Sequence, residues 1–117
     1  MTTDEIVIWH NPRCSKSRAA LERIEARGLA PRVVRYLDTP PPAEEIARVA
    51  AAVGGARALI RKAEPEYKGL GLDDPAKDDD ALVAAMAATP RLIERPVVLR
   101  GGHAVVGRPT EAIDALL

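Results

Sequence analysis

One cysteine stands in this chain, Cys14, and its neighbours are His10-Asn11-Pro12-Arg13 before it and Ser15-Lys16-Ser17-Arg18 after it. Glu5 to His10 (E-I-V-I-W-H) reads as a buried strand, and from Ser15 the apolar spacing turns helical. Cys14 is therefore expected between a strand and the N-terminus of a helix. Unpaired amides and the helix dipole at that position favour a thiolate. The side chains of Arg13, Lys16 and Arg18 would add positive charge. The same amides make a cradle for an anion. A thiolate beside an anion cradle suits a nucleophile aimed at an oxyanion, or a thiol that exchanges with another thiol. A cysteine can also be an inert small residue; the Asn-Pro break before it and the helix after it favour chemistry. His10, at the strand end, could hydrogen-bond or steer the loop. His103, after a Gly-Gly turn, is expected to be exposed.

The same inventory excludes other chemistries. One cysteine and two distant histidines are too few for a usual zinc site, so no metal is expected. Neither the P-loop nor the dinucleotide glycine pattern is present. With 17 basic and 17 acidic residues the formal charge is zero, which argues against a nucleic-acid binder working through a global positive field. No apolar run approaches the roughly 18 residues of a membrane span. The acidic start, Met1-Thr2-Thr3-Asp4-Glu5, does not look like a signal peptide. A lone cysteine makes no internal disulfide, so a cytoplasmic protein is the default expectation. It also means that any covalent adduct on Cys14 must be resolved by an external thiol.

The elements that must hold Cys14 follow from the pattern. At 117 residues one domain is expected. In the first helix Ser17, Ala20, Leu21, Ile24 and Gly28 share a face. Arg32 to Leu37 (R-V-V-R-Y-L) reads as a second strand, which makes a β-α-β unit with parallel strands. The stiff Asp38-Thr39-Pro40-Pro41-Pro42 leads into helical segments over Ala43–Val53 and Ala56–Lys62. Pro65–Lys77 reads as turns. Asp78-Asp79-Asp80 can cap a helix with Leu82, Ala85, Met86 and Thr89 on its apolar face, stopped by Pro90. Val97–Arg100 and His103–Val106 form a hairpin across Gly101-Gly102. A last helix from about Thr110 would turn Ile113, Leu116 and Leu117 inward. The fold class is α/β: β-α-β, a helical insertion at about 40–92, then β-β-α, on a four-stranded mixed sheet.

The run His10 to Arg18 at the head of a β-α-β unit resembles the glutathione/glutaredoxin-dependent arsenate reductase family. Ala58-Leu59-Ile60-Arg61-Lys62, Glu94-Arg95-Pro96-Val97-Val98 and Gly107-Arg108-Pro109 agree in order and spacing. The resemblance spans nearly the whole chain and implies a single thioredoxin-like domain, 1–117. It implies Cys14 as nucleophile, Arg61, Arg95 and Arg108 as oxyanion ligands, and His10, Asn11, Ser17 and Pro96 as supporting residues. Pro96 would be the cis-proline beside the cysteine. Guanidinium groups suit a tetrahedral oxyanion because they make paired hydrogen bonds.

The implied reaction needs no bound cofactor. Cys14 attacks arsenate and expels an oxygen as water, glutathione attacks the adduct, glutaredoxin takes the glutathione, and arsenite leaves. The implied partners are arsenate or a similar oxyanion, glutathione and glutaredoxin, with no nucleic acid and no membrane. Two other functions fit the same fold: a glutathione-linked thiol oxidoreductase with another substrate, and a non-catalytic transcription regulator like the related Spx proteins. Those regulators use a C-x-x-C switch, and Ser17 stands where its second cysteine would be.

Overall fold

The structure, a computed structural model, describes residues 5–117. The segment Met1–Asp4, and with it most of the acidic start, lies outside them. The chain forms two compact units: one of the residues up to Thr39 together with Arg95–Leu117, the other of Pro40–Glu94.

The first unit is a four-stranded sheet with helical cover. Strand β1 (Ile6–Trp9) leads to helix α1 (Ser15–Ala26) and then to the short strand β2 (Arg32–Val34). Strands β3 (Val97–Arg100) and β4 (His103–Val106) form the hairpin. The order is β2-β1-β3-β4, with β1–β2 parallel and the other two pairs antiparallel. The expected α/β class and mixed four-stranded sheet of a thioredoxin-like core are what the chain adopts.

Alternation sets the core. Ile6 and Ile8 point to one sheet face, and Val98, paired with Ile8, joins them. Ala20 and Ile24 of α1 and Ile113 of the C-terminal segment close over this face. Ser17, Ala20 and Ile24 are the fully buried positions of α1, while Leu21 is half-buried and Gly28 exposed. Gly101 and Gly102 both take positive φ at the hairpin tip, the conformation their lack of a Cβ permits.

Two expectations for this unit change. The second strand ends at Val34, not Leu37, because the chain turns there: the amides of Asp38 and Thr39 both donate to the Arg35 carbonyl. The last helix is a 3-10 helix, Thr110–Leu116, with Ile113 buried and Leu116 and Leu117 only half-buried. A spacing of three between Ile113 and Leu116 suits that tighter winding.

The second unit is helical: α2 (Ala43–Ala52), α3 (Ala56–Leu59), α4 (Pro65–Gly69), α5 (Asp79–Ala88) and a 3-10 turn, Pro90–Leu92. Glu44 and Glu45 occupy the first turn of α2, where the helix dipole favours anions. The Asp78 carboxylate accepts from the Ala81 amide at 2.9 Å and caps α5. On α5 the buried residues are Leu82, Val83 and Met86; Ala85 and Thr89 are half-buried. The stretch expected to be turns begins instead with α4, which Pro65 opens at a first-turn position where its missing N–H costs nothing. The short helix expected over Ala56–Lys62 stops at Leu59, and Ile60 bridges Ile93.

Candidate active site

The sheet brings four chain segments to one edge. Trp9 pairs with Val34 on one side and Val97 on the other, and Val97 pairs with Val106. The C-terminal ends of β1, β2 and β4 and the N-terminal end of β3 therefore share that edge. The residues just beyond them are the Cys14 loop, Arg35, Arg108 and Arg95 respectively.

The Cys14 loop is fixed by its own polar groups. Asn11 accepts from the Arg13 amide through Oδ1 at 3.0 Å and from the Cys14 amide through its carbonyl at 3.0 Å. This is the local turn an Asn side chain favours before a helix. Arg18 donates from its guanidinium to the Pro12 carbonyl at 2.9 Å, and its amide donates to the Cys14 carbonyl at 3.0 Å. Cys14 is thus the N-cap residue of α1, with extended backbone.

Beneath the loop sits a buried polar pair. His10 and Ser17 are 5% and 0% exposed. The Ser17 hydroxyl accepts from the Asn11 amide at 3.0 Å and lies 2.6 Å from His10 Nδ1. Burial, and then the charges of Arg35 and Arg18, hold the His10 pKa below the ordinary value. The neutral ring is therefore favoured, and its Nδ1 shares a hydrogen bond with the Ser17 hydroxyl whose direction follows the ring's tautomer. The His10 amide donates to the Val34 carbonyl at 2.8 Å, which ties the loop to β2.

Cys14 itself is half-buried. Burial pushes its thiol up. The amides of Ser17 and Lys16 and the Arg95 guanidinium outweigh that, and the net pKa lies below the ordinary thiol value. The thiol makes no close capping hydrogen bond; these groups act on the thiolate. The amide part of the sequence expectation holds, and the charged part changes. Lys16 contributes through its backbone amide, and the charges of Arg13, Lys16 and Arg18 are not among the causes. The Arg18 guanidinium is turned to the Pro12 carbonyl instead.

Two of the three expected arginines meet at the sulfur. Arg108 places Nη2 3.9 Å from Cys14 Sγ, and its Nε donates to the Arg95 carbonyl at 2.8 Å. Arg95 is half-buried and Arg108 exposed. Each precedes a proline, Pro96 and Pro109, through a cis peptide bond. Arg61 lies in the helical unit, where its guanidinium pairs with Glu64.

Gly107 was not among the candidate residues, and it holds this corner together. Its amide donates to the Pro96 carbonyl at 2.9 Å. A Cβ there would meet Pro96 Cγ at 2.8 Å and Ile113 Cγ2 at 3.2 Å. Only glycine lets the end of β4 lie this close to Pro96, which sets Arg108 beside Arg95. The sequence signal was Gly107 itself, which the sequence showed only as part of the Gly107-Arg108-Pro109 segment of the resemblance.

Among the described residues no group of three or more His, Cys, Asp or Glu could hold a metal ion, and no helix is long and apolar enough to cross a membrane. The arrangement can stabilise a thiolate and present a tetrahedral anion to it.

The ArsC family profile matches residues 9–116. A protein of Neisseria meningitidis serogroup A named arsenate reductase is 54% identical over 115 residues, 97% of this chain and 98% of that protein. The uncharacterized Escherichia coli protein YfgD is 42% identical over 113 residues, 95% of each. The solved structure of an arsenate reductase from Vibrio cholerae superimposes with a TM-score of 0.93 at 47% identity, covering 99% of this chain and all of that one.

Proposed function

The chain belongs to the ArsC family, and on that premise we propose that it reduces arsenate to arsenite with external thiols as the electron source. The observation that carries the reading is the thiolate-favouring Cys14 at a helix N-terminus with Arg95 and Arg108 at its sulfur. The relatives named arsenate reductase support it further.

The chemistry balances as follows. The Cys14 thiolate attacks As(V) and an arsenate oxygen leaves as water, forming an S–As bond. Arg95 and Arg108 take the charge that shifts onto the remaining oxygens. Glutathione condenses with the adduct, and a second oxygen leaves as water. The thiol of glutaredoxin then attacks the glutathione sulfur. An S–S bond forms, the glutathione S–As bond breaks, and its electron pair reduces As(V) to As(III). Hydrolysis releases arsenite and restores Cys14. No second cysteine exists in the chain to take the place of the external thiol. The oxyanion role that the resemblance implies for Arg61 is tested by Arg61→Ala, which should raise the arsenate KM.

The decisive assay follows NADPH oxidation with glutathione reductase, glutathione and glutaredoxin. The expected result is consumption that depends on arsenate, on the protein and on both thiols. Consumption unchanged by arsenate, but supported by a disulfide substrate, would replace this reading with a general glutathione-linked thiol oxidoreductase.

A further inference from the structure

The loop bearing Cys14 has a second flank that the oxyanion reading does not use. Arg95 and Arg108 come from β3 and β4, on one side of β1. The opposite neighbour of β1 is β2, an edge strand. Where β2 ends, the chain turns and leaves Arg35, Leu37 and Asp38 exposed at the same sheet edge as Cys14. Two adjoining clefts open there, of about 560 and 310 Å³. Both are lined by His10, Arg35 and Asp38; the smaller also takes in Arg13 and Leu37, and the larger Val33. Val33 and Leu37 are 42% and 44% exposed, two of the three large apolar side chains left so open. Among the described residues neither guanidinium, Arg13 or Arg35, nor the Asp38 carboxylate is in an ion pair. The wall thus offers two cations, one anion and two apolar contacts, and one of the cations, Arg13, directly precedes Cys14 in the chain.

Resting on the thiol-dependent reading above, we infer that this β2-side cleft is the docking site for the small peptide thiol that attacks the Cys14 adduct, a γ-glutamyl tripeptide such as glutathione. Charge complementarity selects it. Glutathione carries two carboxylates and one ammonium, which match Arg13, Arg35 and Asp38 in number and sign. Arg13 adjoins Cys14, so a tripeptide held here by its ends has its central cysteine close to the reacting sulfur. The co-substrate thus approaches from the β2 flank while the oxyanion is held from the β3–β4 flank, and the two do not compete for the same arginines.

S-methylglutathione, which has no free thiol and cannot react, is the direct probe. Calorimetric titration at about pH 8, above the ordinary histidine range, keeps His10 neutral in every variant. Wild-type protein should bind it, and sulfate should not displace it. Arg35→Glu should weaken binding tenfold or more, with Arg35→Gln intermediate and Asp38→Lys also weakened. In turnover, Arg35→Gln should raise the glutathione KM and leave the arsenate KM and the rate with uncharged 2-mercaptoethanol unchanged. These side chains are exposed, and an unchanged Tm confirms that each variant folds. No binding to the wild type at millimolar concentration, binding indifferent to Arg35→Glu, or displacement by sulfate would each overturn the inference. Failure of the arsenate reading looks different: S-methylglutathione binds as described, yet arsenate drives no turnover.

Discussion

On one side of the Cys14 loop, β3 and β4 deliver Arg95 and Arg108 through a corner so tight that Gly107 has no room for a Cβ. On the other side, β2 is three residues long and ends in a turn that buries Tyr36 but leaves Arg35, Leu37 and Asp38 exposed. The contrast is instructive because both flanks carry arginines. A group that must meet charge developing in a transition state gains from being fixed beforehand. A group that admits and releases a co-substrate gains from openness. The loop between them is itself fixed by Asn11, Arg18 and the His10–Ser17 pair, so the nucleophile belongs to the rigid side.

The largest effect removes the point both flanks serve. Cys14→Ser should abolish arsenate-dependent turnover, because no other thiol exists in the chain and a serine alkoxide is inaccessible at neutral pH. Calorimetry should still detect sulfate at the arginine flank of that variant. Appreciable turnover by it would refute the nucleophile.

Arg95→Lys is expected next. One ammonium cannot reproduce a planar two-point contact. A charge-assisted hydrogen bond contributes on the order of 1.5–3 kcal/mol, or about tenfold or more in rate. Steady-state kinetics should show that loss in kcat/KM for arsenate, with the glutathione KM unmoved. A rise confined to the glutathione KM would reverse the roles given to the two flanks.

Gly107→Ala sharpens the comparison without touching a charge. Overpacking of this kind costs about 1–3 kcal/mol, so thermal unfolding should begin several degrees lower, with a parallel fall in kcat/KM as Arg108 is displaced. Leu37→Ala, on the open flank, should leave Tm nearly unchanged. Equal effects at the two sites would show that the flanks do not differ in rigidity.

The smallest effect concerns His10. Its folded-state pKa is lowered, so the unfolded chain binds the proton more readily. The stability contributed by the neutral buried ring is complete above about pH 6.5 and is lost as pH falls from there to the lowered value. Denaturant titrations between about pH 7 and 5 should show stability falling in the wild type and falling less in His10→Gln. An equal slope in both would remove His10 from the rigid side of the loop.

Much of this contrast could be read from residue types, and the unread part has a physical pattern. Ile6, Ile8 and Val98 announced a buried strand face, Gly101-Gly102 a hairpin and Asp78 a helix cap. Each is a local signal with a local cause. The R-V-V-R-Y-L run gave no sign that β2 stops at Val34. Tyr36 is buried without being in a strand, and apolar content alone does not separate those cases. Pro65 is a helix-start signal, but a five-residue helix leaves no periodicity to support it. At the site, Asn-Pro before a helix was enough to single out Cys14. Part of its activation was legible, since unpaired amides at a helix N-terminus follow from the strand-to-helix position; the share of Arg95 was not, because it acts from a segment distant in sequence while the adjacent charges of Arg13, Lys16 and Arg18 are not among the causes. Nor does a sequence state how close Gly107 must come to Pro96.

The amides of Ser17 and Lys16, with Arg95, lower the Cys14 pKa and so favour the thiolate that attack on an oxyanion needs. The rate of Cys14 alkylation against pH measures this directly, and it does not depend on the substrate. The account predicts a midpoint below about 8.5, the free-cysteine value, moving up in Arg95→Ala, with sulfate or arsenate slowing the reaction in the wild type. A midpoint at or above about 8.5, insensitive to Arg95 and to either anion, would contradict it.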